Sequence, residues 1–270
     1  MGRARRLMAA VAGAVLTVSP LGIAPPAQAV VGGKEARPHQ YPFMAGLVDV
    51  VERRVMCGGA LIGNRYVLTA AHCLTGSYSS PTRVGVLLGD HDLTTGSDSP
   101  HAVLAAPARF VPHPEYDPDT QLNDIALVEL AEPVALNRDV RPVGLPGPSV
   151  QAGPDDTQVE VPGWGTTSFG GHTSDVLRTV ALATMSNSVC ARRGMAQVAP
   201  TQICTYAPGR DTCQYDSGGP LVRTVRGRPY VVGLVSYGRE CATDTPAVNT
   251  RVRSYLSWIE RTTGRLPRVS

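Results

Sequence analysis

The segment Asp211-Thr212-Cys213-Gln214-Tyr215-Asp216-Ser217-Gly218-Gly219-Pro220 holds the densest set of chemically capable residues in this chain. A serine followed by two glycines suits a tight loop whose backbone N–H groups converge on one point, where a developing oxyanion is stabilised. A serine hydroxyl is a weak nucleophile near neutral pH. It needs a base within hydrogen-bond reach, and that base needs a third group to hold its tautomer. His72 is the best candidate base, because it lies in Leu68-Thr69-Ala70-Ala71-His72-Cys73, where a disulfide through Cys73 would hold the imidazole in a rigid loop. Asp124 opens the apolar run Ile125–Leu130, and a carboxylate is costly to bury there unless it is hydrogen-bonded. An orienting carboxylate requires that burial.

Each residue taken singly has a blander reading. Ser-Gly-Gly-Pro alone is a turn, a lone histidine is more often structural or exposed, and a lone Asp124 is a turn or capping aspartate. His39, His91, His101, His113 and His172 keep the structural reading. The nucleophile elbow of α/β-hydrolases is absent, because Tyr215 stands where its first glycine is required.

The elements that must position these residues are strands. Short runs rich in valine and leucine recur between turn residues: Phe43–Val50, Gly59–Ile62, Tyr66–Ala70, Val84–Leu88 and Ile125–Leu130, then Gln158–Val161, Leu177–Ala183, Pro220–Thr224 and Tyr230–Val235. With 28 glycines and 23 prolines among them, they predict an all-β sandwich or barrel. Helical spacing of Val252, Tyr255, Leu256 and Ile259 predicts one amphipathic helix over Arg251–Thr262, packed on a barrel. A linker is expected across Leu136–Pro148, which lacks periodicity.

Arg3, Arg5 and Arg6 precede an apolar run from Leu7 to Val18, and Ala27-Gln28-Ala29 supplies a small-residue cleavage site. Residues 1–29 therefore read as a signal peptide for export. Removing them takes away three of the 25 basic residues and none of the 22 acidic ones, so the mature chain is balanced. That balance gives no electrostatic reason to invoke nucleic acid or a membrane surface as a partner. Six cysteines remain, at 57, 73, 190, 204, 213 and 241. In an exported chain they are expected as disulfides, for which arithmetic alone permits about 15 pairings. Lys34 is the sole lysine, an imbalance that fits a GC-rich bacterial genome.

In chain order, Val30-Val31-Gly32-Gly33, Cys57-Gly58-Gly59, Thr69-Ala70-Ala71-His72-Cys73, Asp124-Ile125-Ala126-Leu127, Gly163-Trp164-Gly165, Asp216-Ser217-Gly218-Gly219-Pro220 and Ser236-Tyr237-Gly238 together resemble the trypsin-like serine proteases. The resemblance runs from Val30 to the C-terminal helix. It implies an all-β fold of two six-stranded antiparallel β-barrels packed together with a C-terminal α-helix. The first barrel would span 30–145 and the second 146–270, with the site in the cleft between them. The implied activity is that of a secreted serine endopeptidase working through an acyl-enzyme, with His72, Asp124 and Ser217 as the triad. Their chain order agrees with that fold. The resemblance further implies an oxyanion hole from the N–H groups of Tyr215 and Ser217, and a substrate pocket at Asp211, Ser236, Gly238 and Ala247. It implies disulfides Cys57–Cys73, Cys190–Cys204 and Cys213–Cys241, no cofactor, and a monomer acting on protein or peptide substrates with protein inhibitors as further partners.

In the same family a new N-terminal amine pairs with the aspartate before the nucleophile, here Val30 with Asp216. Ala29 precedes Val30, so self-activation after a basic residue is not expected. Signal peptidase would create the active terminus, or a second protease would trim a short propeptide. Asp211, six residues before Ser217, stands at the floor of the specificity pocket in the family register, where a carboxylate attracts substrate arginine or lysine.

The chain departs from the family pattern at several points. Ala247 adds a methyl group where the family usually has glycine, and Tyr215 replaces the glycine of the oxyanion loop, so bulky protein inhibitors are expected to bind poorly. Tyr237 replaces a tryptophan, and Arg239 with Glu240 follows at the cleft rim, where Arg239 could favour acidic residues in substrates. Asp90, Asp92 and Asp98 occupy a loop resembling the family's calcium loop, but its paired glutamates are missing, so a solvated loop without metal is expected. Two alternatives remain: a broad-specificity or matrix-degrading protease, and a catalytically silent homologue that acts as a binding module.

Overall fold

The computed structural model describes residues 30–95, 98–147, 157–195, 197–264, 266 and 268–269. Residues 1–29, read as a signal peptide, lie outside them, as does Pro148 at the end of the expected linker. The strands are β1 (Lys34–Glu35), β2 (Met44–Asp49), β3 (Arg54–Leu61), β4 (Tyr66–Thr69), β5 (Val84–Leu88), β6 (Val103–Ala105), β7 (Pro107–Pro112), β8 (Ala126–Leu130), β9 (Leu145–Pro146), β10 (Gln158–Gly163), β11 (Arg178–Met185), β12 (Gln202–Tyr206), β13 (Pro220–Val225), β14 (Arg228–Tyr237), β15 (Ala247–Arg251) and β16 (Arg268–Val269). Among the described residues two α-helices accompany them, α1 (Asn187–Arg192) and α2 (Leu256–Thr263).

Two antiparallel sheets dominate. One runs β6-β5-β2-β3-β4-β8-β7; the other runs β1-β11-β10-β13-β14-β15-β12 and closes through a further β11–β12 ladder. Closure leaves a six-stranded barrel with β1 added at its side. The first sheet curls without a closing ladder, because its edge strands β6 and β7 are consecutive in the chain and meet through Ala106. The second sheet is thus the six-stranded barrel expected, and the first is a curled sheet of seven strands, within the all-β architecture of a chymotrypsin fold.

The apolar runs lack alternation because both faces of the strands are buried. Ala126, Val128 and Leu130 of β8 fill the first sheet's interior, while Ile125 and Leu127 point into a layer between the sheets. That layer also takes Phe43, Trp164, Val231 and Leu234, and Trp258 and Ile259 of α2. Burying a leucine- or valine-sized side chain stabilises by about 1.5–3 kcal/mol, so this layer holds the two sheets in register. The predicted C-terminal helix starts as a 3₁₀ turn at Val252–Tyr255 and becomes α-helical only at Leu256. Among the described residues, no helix is long and apolar enough to cross a membrane.

Candidate active site

His72 lies on a 3₁₀ turn, Ala71–Leu74, directly after β4. The adjacent Cys73 is bonded to Cys57 of β3, which ties that turn to the strand beside it. Asp124 sits just before β8 and is fully buried. Its carboxylate is satisfied on every side: Oδ1 accepts the His72 backbone N–H at 2.9 Å, and Oδ2 accepts His72 Nδ1–H at 2.8 Å and the Ser236 hydroxyl at 2.5 Å. Thr250 Oγ1 donates to the Asp124 carbonyl at 2.6 Å, and Tyr255 donates to Asn123 at 2.9 Å. Asp124 is thereby held from the second sheet as well as the first. In a neutral imidazole whose Nδ1–H is committed to the carboxylate, the other nitrogen is the acceptor.

Ser217 follows a turn in which the Asp216 N–H reaches Cys213 O and the Gly219 N–H reaches Asp216 O. The loop is pressed against β3, where the Gly58 N–H donates to Ser217 O at 2.7 Å. Gly218 has φ +76°, and a Cβ there would collide with Thr69 Oγ1 and Gly58 O, so this position admits only glycine. Ser217 O lies 3.6 Å from Cys73 Sγ, one residue from His72. The structure thus brings His72, Asp124 and Ser217 to one junction of the two sheets. The described contacts include no hydrogen bond between Ser217 Oγ and His72, whose Nε2 lies 3.8 Å from Cys73 Sγ.

A cavity of about 280 Å³ opens beside Ser217, lined by Asp211, Ser236, Gly238, Ala247 and, at its edge, Phe169. Asp211 is buried there, accepting N–H bonds from Thr212 at 2.8 Å and Ala242 at 3.1 Å. Burial pushes its carboxyl up to about 6 against the opposing pull of those donors. The Ala247 methyl is buried opposite Gly238; a Cβ built on Gly238 would meet it at 3.9 Å. Ser236 lines the cavity, and its hydroxyl is spent on Asp124. Cys213–Cys241 ties the nucleophile loop to the opposite wall, and Cys190–Cys204 ties α1 to β12.

Asp216 is buried, with the Gly165 and Cys213 N–H groups each at 2.9 Å, and burial pushes its carboxyl up to about 7. A Cβ on Gly163 or Gly165 would strike its oxygens. Val30 is fully buried in the core of the closed barrel, and Val31 O accepts the Asp211 N–H at 3.0 Å. The segment that begins at Val30 is therefore docked against the loop that carries Asp211.

Tyr215 adopts φ +73°, a left-handed conformation that costs an L-residue about 1–2 kcal/mol. A second cavity, about 600 Å³, is lined by Leu122, Met195, Tyr237 and Arg239; there Arg239 donates to Gly194 O at 3.2 Å. Asp98 accepts the His91 N–H at 3.2 Å and the Asp92 N–H at 2.9 Å, and Asp92 accepts two bonds from Thr94. These carboxylates serve their own loop. Among the described residues, the one cluster with metal-ligand spacing is Cys57, His72 and Cys73, whose thiols are already joined.

A family model described as Trypsin matches residues 30–259. The chain belongs to the trypsin family. It is 34% identical over 236 residues to venom serine protease 34 of Apis mellifera, covering 85% of this chain and 57% of that protein. It is 36% identical to the proclotting enzyme of Tachypleus tridentatus, covering 85% and 65% respectively. Trypsin-1 of Astacus astacus is 32% identical, with 86% of this chain and 98% of that protein covered. The chain thus spans less than two thirds of the first two relatives. All three are animal proteins, so the bacterial origin suggested by the single lysine is not borne out. For this trypsin-family chain, sequence reasoning missed the Ser236–Asp124 bond, Thr250 and Phe169. Ser236 and Thr250 are ordinary strand residues that reach Asp124 only after folding, whereas Phe169 carries a faint local signal as an exposed aromatic in a glycine-rich loop.

Proposed function

We propose that the chain is a secreted serine endopeptidase that cleaves after arginine or lysine through an acyl-enzyme. The observation that carries the reading is the buried Asp124 carboxylate accepting the His72 ring N–H at 2.8 Å beside Ser217. Asp124 fixes the tautomer, His72 takes the Ser217 hydroxyl proton, and Ser217 Oγ attacks the scissile carbonyl. The oxyanion that forms is met by the Tyr215 and Ser217 N–H groups, and His72 then returns the proton to the leaving amine. Water repeats the sequence to release the acyl group. Asp211 at the cavity floor supports recognition of a guanidinium or ammonium, whose charge its ionised form would pair.

Activation is proposed to follow from a free amine at Val30 pairing with Asp216. Leaving that buried carboxylate unpaired costs about 3–5 kcal/mol, enough to disorder the loop. Export rests on the signal-like segment 1–29 and on three disulfides that suit an oxidising compartment. Steady-state kinetics on matched Arg, Lys and Leu peptide substrates test the specificity. Higher kcat/KM for Arg or Lys is expected; a preference for Leu ends the tryptic reading.

A further inference from the structure

Arg54 lies at the start of β3, on the sheet opposite the nucleophile loop, with its guanidinium carbon 5.0 Å from the centroid of the Tyr215 ring. The same guanidinium is held by Glu52, Nε to Oε2 at 2.6 Å. Glu52 in turn belongs to a turn built on the fully buried Asp49. Asp49 Oδ1 accepts the Val51 and Glu52 N–H groups, and Oδ2 accepts Arg83 at 2.9 Å. Arg54 thus projects from a braced platform. Four residues along the strand, Gly58 grips Ser217 O at 2.7 Å, so β3 holds the nucleophile loop at two points.

What the second point restrains is a strained residue. Tyr215 sits at φ +73°, where most residues prefer to leave, and a rotation of its peptide would carry the N–H away from the site. We propose that Arg54 is a positioning residue for the reaction: by stacking on the Tyr215 ring it holds the Tyr215 N–H aimed at the oxyanion. The proposal rests on the reading of Tyr215 as an oxyanion donor. A donor that stabilises the transition state alone is felt in kcat, whereas a contact that merely binds substrate is felt in KM.

The test is steady-state kinetics of the secreted enzyme on one Arg peptide substrate, in two backgrounds. Arg54→Ala is expected to lower kcat about two- to fivefold with KM little changed, the size an exposed cation–π contact carries. Arg54→Lys, which keeps a cation, should recover part of the loss; Arg54→Met, which keeps only the stem, should not. In a Tyr215→Gly background the ring is gone and the strain relieved, so Arg54→Ala should change kcat by less than about 1.5-fold, as strongly coupled pairs do. If Arg54→Ala fails to fold, the Met and Lys variants carry the comparison. A loss confined to KM, or an equal loss in both backgrounds, overturns the proposal. Labelling of Ser217 by a fluorophosphonate in the unsubstituted enzyme separates the two failures, because an unlabelled Ser217 sinks the reading of a serine nucleophile on which the oxyanion role of Tyr215 depends.

Discussion

The Asp211 carboxyl makes a pH prediction that isolates it from the rest of the site. Burial raises it to about 6, so it is fully ionised at pH 8 and only about one-tenth ionised one unit below that value, at pH 5. A substrate arginine needs the ionised form; a leucine does not. The ratio of kcat/KM for matched Arg and Leu substrates should therefore fall about tenfold between pH 8 and pH 5, with its midpoint near 6, because kcat/KM reports the free enzyme. Taking the ratio cancels the titration of every group that serves both substrates. In kcat the midpoint should move lower, since a bound cation holds the carboxylate ionised. Asp211→Asn should abolish both the Arg preference and the pH dependence of the ratio. A ratio that stays flat from pH 5 to 8, or one that still titrates in Asp211→Asn, refutes the assignment of Asp211 as the charge-reading floor.

Ser236→Ala removes a hydrogen bond to the buried Asp124 carboxylate, a class of bond that contributes about 1.5–3 kcal/mol, so kcat should fall at least about tenfold while Ser217 remains labelable. Asp216, pushed up to about 7, binds a proton more tightly when folded than when unfolded. A form that retains Ala29, and so lacks the amine, should lose thermal stability as pH rises from about 4 to about 7, whereas a form starting at Val30 should not. Parallel melting curves for the two forms would count against the pairing. Chelation by EDTA should leave the melting temperature unchanged, because Asp92 and Asp98 are already bonded within their own loop; a drop of several degrees would show that the loop holds a cation.

The sequence made much of this site legible because the pieces that do chemistry carry local signatures. Ser217 comes with the glycines its loop demands, and Gly218 could be nothing else against Thr69 and Gly58. Asp124 announces itself as a charge at the mouth of an apolar strand. The strands with two buried faces, such as β8, read as continuous apolar runs and were found. Strands without a long buried apolar run were not: β6 is only Val-Leu-Ala and largely exposed, β7 is bounded by Pro107 and Pro112 at the sheet edge, and β15 reads Ala-Val-Asn-Thr-Arg. The short helix α1 was missed although Ser186 caps it through the Val189 N–H. Contacts between distant segments had no local trace at all, which is why Ser236 appeared only as pocket wall and Arg54 did not appear.

The central claim is that Ser217 is made nucleophilic by an imidazole that Asp124 holds in place. Reaction of the folded protein with a fluorophosphonate, followed by peptide mass spectrometry, reads this directly. The modification should fall on Ser217 and be lost or slowed at least about a thousandfold in His72→Ala, as in triads where removing the base costs most of the rate. Modification at another residue, or undiminished labelling of Ser217 in His72→Ala, contradicts the account.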